Sequence, residues 1–162
     1  IRDERKTGLL LLNNLLGGFG MSSILNLSIR EKHGIAYTIE SNYALYSDSG
    51  LFSIYLGTDE EKVDKAKRLV FKELNKLMDK GITDTQLFRA KHKFKGQIAL
   101  AEENRMSMII AVAKNVVDYN RIIQLSEVFD KIDQVSATEI KAIAIDTFAE
   151  DKLTSLAFVP ED

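Results

Sequence analysis

The stretch LLGGFGMSSILNLSIREKHGIAY, residues 15–37, ends one apolar helix, bends at Gly17, Gly18 and Gly20, starts a second helix and leaves it at His33-Gly34. From Ile35 the chain changes period. Upstream, LLLLNNLL at residues 9–16 is apolar nearly all round, which predicts a buried helix over residues 4–16. Gly17 and Gly18 end it, and Ser22 or Ser23 is placed to cap the next helix, with Ile24, Leu27 and Ile29 facing inward. Downstream, Ile35, Tyr37, Ile39, Tyr43 and Leu45 follow a period of two and are expected to share one face of a strand over 35–46. SDSG at 47–50 is a turn signal, and LFSIYLG at 51–57 is the returning strand of a hairpin.

The remainder is mainly helical. Three capping boxes introduce it: Thr58 with Glu61, Thr83 with Gln86, and Ser136 with Glu139. The apolar stripes that follow are Val63, Ala66, Val70, Leu74 and Leu77; Leu87, Ala90, Phe94, Ile98 and Ala101; and Ile140, Ile143, Ala144 and Phe148. Met106, Ile109, Ile110, Ala113 and Val117 make a further helical face, and Leu125, Val128, Phe129 and Ile132 a shorter one. KLTSLAFV at 152–159 is expected as a final strand, ended by Pro160. Few strands among many helices predict an α+β domain, residues 1–162, with a small mixed or antiparallel sheet and helices on one face. Three strands make a thin sheet, so a further strand is expected upstream of Ile1.

Composition narrows the function. The chain has 162 residues, 28% of them charged, and a net charge of −2, which gives no reason to expect a nucleic-acid partner. No apolar run is long enough for a membrane span, and no membrane partner is expected. There is no cysteine, so disulfides and thiolate ligands are excluded. The cytoplasm is the expected compartment, with the periplasm as the alternative.

The chemistry-bearing residues are few. Gly18-Phe19-Gly20 lacks the lysine of a phosphate loop and follows a helix, so it is a bend. His33 and His92 are the only histidines, and neither has an i, i+4 partner for a metal. Glu102 and Glu103 are adjacent on a helix and diverge by about 100°. Gly96 interrupts a helix and is expected at a close helix contact. Arg30 lies one turn before Gly34 and Tyr37 just after it. A left-handed Gly34 would reverse the chain and bring the guanidinium and phenol toward one point, as two donors suited to a carbonyl oxygen. On these grounds alone ordinary packing is the better explanation, with Arg30 complementing a helix C-terminus and Tyr37 lying against a strand neighbour.

Taken in order, LLGGFGMSS, IREKHGIAY, DSGLFSIYLGTDEEKV and GITDTQLFRAKHKFKG resemble the insulinase and mitochondrial-processing-peptidase family of zinc peptidases, specifically the carboxy-terminal half of compact bacterial members. The likeness continues through EVFDKIDQVSATEIKAIA to LTSLAFVP; Phe19, Ile24 and His33 depart from the family pattern. The resemblance implies two similar α+β halves closing around an unfolded peptide. The amino-terminal half would carry zinc on an inverted His-x-x-Glu-His motif, whose glutamate activates the metal-bound water. The other half would supply Arg30 and Tyr37 to hold the peptide substrate and the developing oxyanion. This chain alone is then expected to be inactive and to bind no metal. Its partner would be a zinc-bearing half or subunit, with homodimerisation as the alternative partnership. A non-catalytic structural or peptide-presenting subunit of the same fold is the rival expectation.

Overall fold

The computed structural model describes residues 5–46 and 48–159. Helix α1 (Lys6–Gly17) is followed by a π-helical segment (Asn26–Glu31), strands β1 (Ala36–Leu45) and β2 (Gly50–Thr58), and helices α2 (Val63–Lys80), α3 (Asp84–Glu102), α4 (Arg105–Tyr119), α5 (Leu125–Gln134) and α6 (Ala137–Phe148). The two strands pair antiparallel, with Ile39 opposite Leu56 and Tyr43 opposite Phe52. The architecture is the expected α+β class, with an antiparallel hairpin as its sheet. Residue 4, the start of the expected first helix, lies outside the described residues, as do Ser47 of the turn and Pro160.

Helix α1 is central because its sequence leaves it little polar surface. Leu11, Leu12 and Leu16 are fully buried. Each such leucine contributes roughly 1.5–3 kcal/mol relative to an exposed one. Gly17 lets the end of α1 lie directly on β1: a Cβ there would stand 2.7 Å from the Ser41 backbone nitrogen. Ser41 secures the contact by donating its hydroxyl to the Asn13 carbonyl at 3.0 Å. Helix α6 covers the hairpin beside it, where Phe148 meets Phe52 edge-to-face at 5.0 Å. The expected stripes of α2 and α6 are buried at Ala66, Val70, Leu74, Leu77, Ile140 and Phe148. The bend after α1 is fastened by Gln97, which accepts from Asn14 Nδ2 at 2.6 Å and donates to the Phe19 carbonyl at 3.0 Å.

Several local expectations change. The Thr83–Gln86 box is present in both directions, and Ser136 accepts from the Glu139 N–H at 3.1 Å. Thr58 makes no cap, because its hydroxyl donates to the Ile35 carbonyl at 2.7 Å, and α2 is entered through a 3-10 turn at Glu60–Lys62. Ser23 is buried and accepts from the Asn26 side chain at 2.9 Å. Tyr37 does not share the inner face with Ile39. The register shifts between Ala36 and Thr38, and the unpaired Tyr37 turns outward. Residues 153–159 form no strand: they follow a 3-10 turn and, beyond the half-buried Leu153, lie exposed, with no partner strand among the described residues to supply a ladder. Helix α4 forms as expected, but Met106, Ile109, Ile110 and Val117 all stay exposed, Val117 to 84%. The first half of the α3 stripe is buried at Leu87 and Ala90, whereas Ala101 is exposed.

Gly96 also departs from expectation. Nothing lies within 4 Å of a Cβ built there, so no close helix contact requires the glycine. Gly96→Ala should therefore raise stability by about 0.5–1 kcal/mol, through the helix entropy that glycine forfeits. Gly17→Ala should lower it, because the new methyl meets backbone. Thermal melts of the two variants check the opposite signs, and a neutral or destabilising Gly96→Ala would contradict the open space around that residue.

Candidate functional site

The site forms where the π-helical segment meets the first residues of β1. The segment has a wide turn, with Lys32 N–H donating to the Leu27 carbonyl five residues back at 3.1 Å. Three contacts fix it. Ile29 is fully buried, Asn26 Nδ2 donates to the Ile39 carbonyl at 3.2 Å, and Ser28 Oγ donates to Glu73 Oε1 of α2 at 2.9 Å. Arg30 lies in this anchored turn and is exposed. Gly34 then takes φ +59°, the left-handed value expected of it, and its N–H donates to the Arg30 carbonyl at 3.0 Å. Ile35 and Ala36 return to the core.

The bulge decides the direction of Tyr37. Without it, a strict period of two would carry Tyr37 inward with Ile39. One extra residue on β1 leaves it unpaired and 65% exposed. Bulges re-aim side chains in this way at strand ends. Arg30 and Tyr37 thus both reach the surface, on either side of the left-handed turn. No hydrogen bond joins them among the described residues.

The Tyr37 hydroxyl donates instead to Asp59 Oδ1, and the ammonium of Lys62 holds Asp59 Oδ2. Asp59 lies in the short connection between β2 and α2, beside Thr58, whose bond to Ile35 ties that connection to the start of β1. Electrostatics follow from these contacts. The hydrogen bond to Asp59, with some loss of solvent, pushes the Tyr37 phenol above the ordinary value of 10.0. The Lys62 hydrogen bond, then that of Tyr37, holds the Asp59 carboxyl below the usual carboxylate range. Asp59 in turn raises the Lys62 ammonium. Sequence reasoning found Arg30 and Tyr37 but missed Asp59 and Lys62, because residues 58–61 resemble a capping box. The only local signal was an acid and a base three residues apart at a helix entrance.

The other candidates stay apart from this cluster. His33 is exposed. His92 stacks on Phe88 at 4.1 Å on the surface of α3. Glu102 and Glu103 are exposed at the end of the same helix. Among the described residues no group of three or more His, Cys, Asp or Glu side chains is arranged to hold a metal ion. No helix among them is long and apolar enough to cross a membrane. The described residues therefore offer no ligand set for a zinc ion.

Comparison with known proteins agrees with the architecture. The family model described as Peptidase M16 inactive domain matches residues 1–94, and the chain belongs to that family. It is 32% identical over 153 residues to a Bacillus subtilis protein named Uncharacterized zinc protease YmxG, covering 94% of this chain and 37% of that protein. A Streptomyces coelicolor protein, named Uncharacterized zinc protease SCO5738, is 30% identical over 89% of this chain and 31% of its own length. The chain thus spans about a third of the curated relatives it matches. Among solved structures, a conserved protein from Enterococcus faecalis superposes with a TM-score of 0.75 at 25% identity, over 88% of this chain and 33% of that one. The peptidase M16 inactive domain from Pseudomonas fluorescens does so with a TM-score of 0.73 at 24% identity, over 87% and 34% of the two chains, a likeness of fold.

The Tyr37–Asp59 contact has a defined pH window. The raised phenol stabilises the folded chain below its unfolded value, and this contribution is lost as pH rises through the folded value. The depressed Asp59 contributes above its unfolded value and is lost as pH falls through the folded one. The contact therefore spans neutral pH. Tyrosine ring-carbon NMR should show Tyr37 titrating above an ordinary phenol, and Asp59→Ala should move it back down. An unchanged Tyr37 titration in Asp59→Ala would contradict the contact.

Proposed function

We propose that this chain is the substrate-clamping half of a zinc endopeptidase acting on unfolded peptides. Arg30 and Tyr37 hold the peptide beside the bond to be cut, and the metal resides in another half or subunit. The observation that carries this reading is the paired exposure of Arg30 and Tyr37 on an anchored left-handed turn. A fixed backbone with two polar side chains directed outward suits capture of a main chain more than packing. Arg30 brings donors only, suited to a carbonyl oxygen that gains charge during attack. The names of the relatives as zinc proteases, and the absence of a ligand set among the described residues, support a metal supplied from elsewhere. The uncovered apolar face of α4 supports a partner body.

The rival, a non-catalytic subunit that keeps the fold, makes the opposite prediction for the same two residues. In the full-length protein, Arg30→Ala and Tyr37→Phe should each lower kcat/KM for an unfolded peptide, by roughly ten- to a hundredfold for the charged Arg30 and three- to tenfold for Tyr37. Zinc content should stay unchanged, since neither residue is placed as a ligand. Wild-type turnover in both variants would reject the clamping role. Loss of zinc in either would reject the separation of metal and clamp.

A further inference from the structure

Helix α2 buries Ala66, Val70, Leu74 and Leu77 and turns its opposite face to solvent. On that face Arg68, Lys72, Lys76 and Lys80 recur every fourth residue, and all are exposed. Residues four apart are neighbours on a helix, so the cations form one row, with about 6 Å of rise between members and about 18 Å from end to end. Lys67, Phe71 and Asn75 stand beside the row as the other wall of an open groove, and Asp64 and Asp79 lie toward its two ends. Little inside the chain neutralises the row. Lys76 reaches Glu73 at 3.8 Å, but the other oxygen of that carboxylate takes the Ser28 hydroxyl. Arg68, Lys72 and Lys80 make no ion pair among the described residues. Like charges four residues apart destabilise a helix, and in the last turn only Lys80 complements the C-terminus. The whole chain has a net charge of −2, so the row is a local excess of positive charge on a molecule that is negative elsewhere.

We propose that the solvent face of α2 is a docking surface for an acidic polypeptide segment, whose Asp and Glu carboxylates pair with Arg68, Lys72, Lys76 and Lys80. The partner follows from the shape of the charge. The row is one residue wide, and a narrow acidic segment need touch only the groove. A bilayer or a nucleic-acid duplex is a broad negative surface that would also meet the negative remainder of the chain. No large apolar side chain is exposed on α2 to enter a bilayer, and Phe71, its one aromatic residue, is half-buried and offers no open ring for bases to stack on. The spacing also fits. Carboxylates every fourth residue on a helix repeat at about 6 Å, and those on alternate residues of an extended chain at about 6.5–7 Å. Phe71 and Asn75 give the uncharged parts of the segment a surface to lie on. Pairing with carboxylates also relieves the repulsion within the row. The surface excludes Arg30 and Tyr37, and the inference does not rest on their clamping role.

The test uses the full-length protein and a fluorescein-labelled oligoglutamate peptide of about twelve residues, long enough to span the row. Binding is read by fluorescence anisotropy, and mass spectrometry checks that the peptide stays intact. Affinity at about 50 mM salt should fall roughly tenfold by about 300 mM, as screening shortens the reach of each charge. The combined substitution Arg68→Gln, Lys72→Gln and Lys76→Gln should weaken low-salt binding roughly tenfold without lowering the melting temperature, because it removes repulsion. Arg89, Lys114 and Lys131 are exposed cations outside the row. Changing those three together to Gln alters the net charge equally and should move the affinity by less than about twofold. No binding at low salt, unchanged affinity in the row variant, or equal losses in the two variants overturns the surface. If the row variant melts lower, Lys72→Gln alone is measured, with a loss of roughly two- to threefold expected and an unchanged affinity overturning the surface. Phosphatidylglycerol vesicles and a DNA duplex are titrated beside the peptide. Tighter binding of either, lost in the row variant, overturns the acidic polypeptide as the partner.

Discussion

Close contact between α1 and its neighbours is the constraint on which the rest depends. A two-stranded hairpin is at best marginally stable alone in water, so β1 and β2 must borrow a core. They take it from α1 and α6. The approach is close because glycine occupies the contact positions of α1. At Gly17 the neighbour is the Ser41 backbone, and at Gly8 a Cβ would stand 2.5 Å from Ile143 Cδ1 of α6. Leucines fill the intervening turns of α1, and fully buried leucines at positions 11, 12 and 16 have no space to shift. The position of the hairpin is therefore set by a helix surface, and the strands follow.

That arrangement makes the start of β1 a rigid origin for the site. Ile35 and Ala36 are held in the core, the Ile35 carbonyl is tied to Thr58, and the Ile39 carbonyl is tied to Asn26 of the π-helical segment. Between those fixed points lies one extra residue, and it is Tyr37. The bulge is the cheapest way to turn a single side chain from core to solvent while its neighbours stay buried. Arg30 leaves the anchored turn of the π-helical segment. Both backbones are constrained by core contacts, so the separation of the two side chains is governed by packing far from either tip.

The parts legible in sequence were those with periodic or reciprocal signals. Leu74, Leu77, Ile140 and Phe148 recur at helical spacing and are buried, and Thr83 with Gln86 announces the start of α3 by a bond each way. Tyr37 was legible as a residue of interest but not as an exposed one. A bulge breaks the period of two by a single residue, and the sequence IAYTI carries no local mark of it. Thr58 had a capping partner in Glu61, yet a nearer tertiary acceptor at Ile35 took its hydroxyl. Residues 153–159 have the composition of a strand, but a strand exists only with a neighbour. The apolar stripe of α4 shows the same limit. Periodicity identifies a face and says nothing about what lies against it.

The Tyr37–Asp59–Lys62 contact contributes little to holding the fold. All three groups are solvated, and water and salt screen their interaction. Its physical effect is to restrict where one phenol points. Ordering an exposed side chain in advance lowers the entropy that any later contact with it would otherwise cost. The contact is therefore a constraint on direction more than a source of stability, and the bulge that turns Tyr37 outward is what makes it possible.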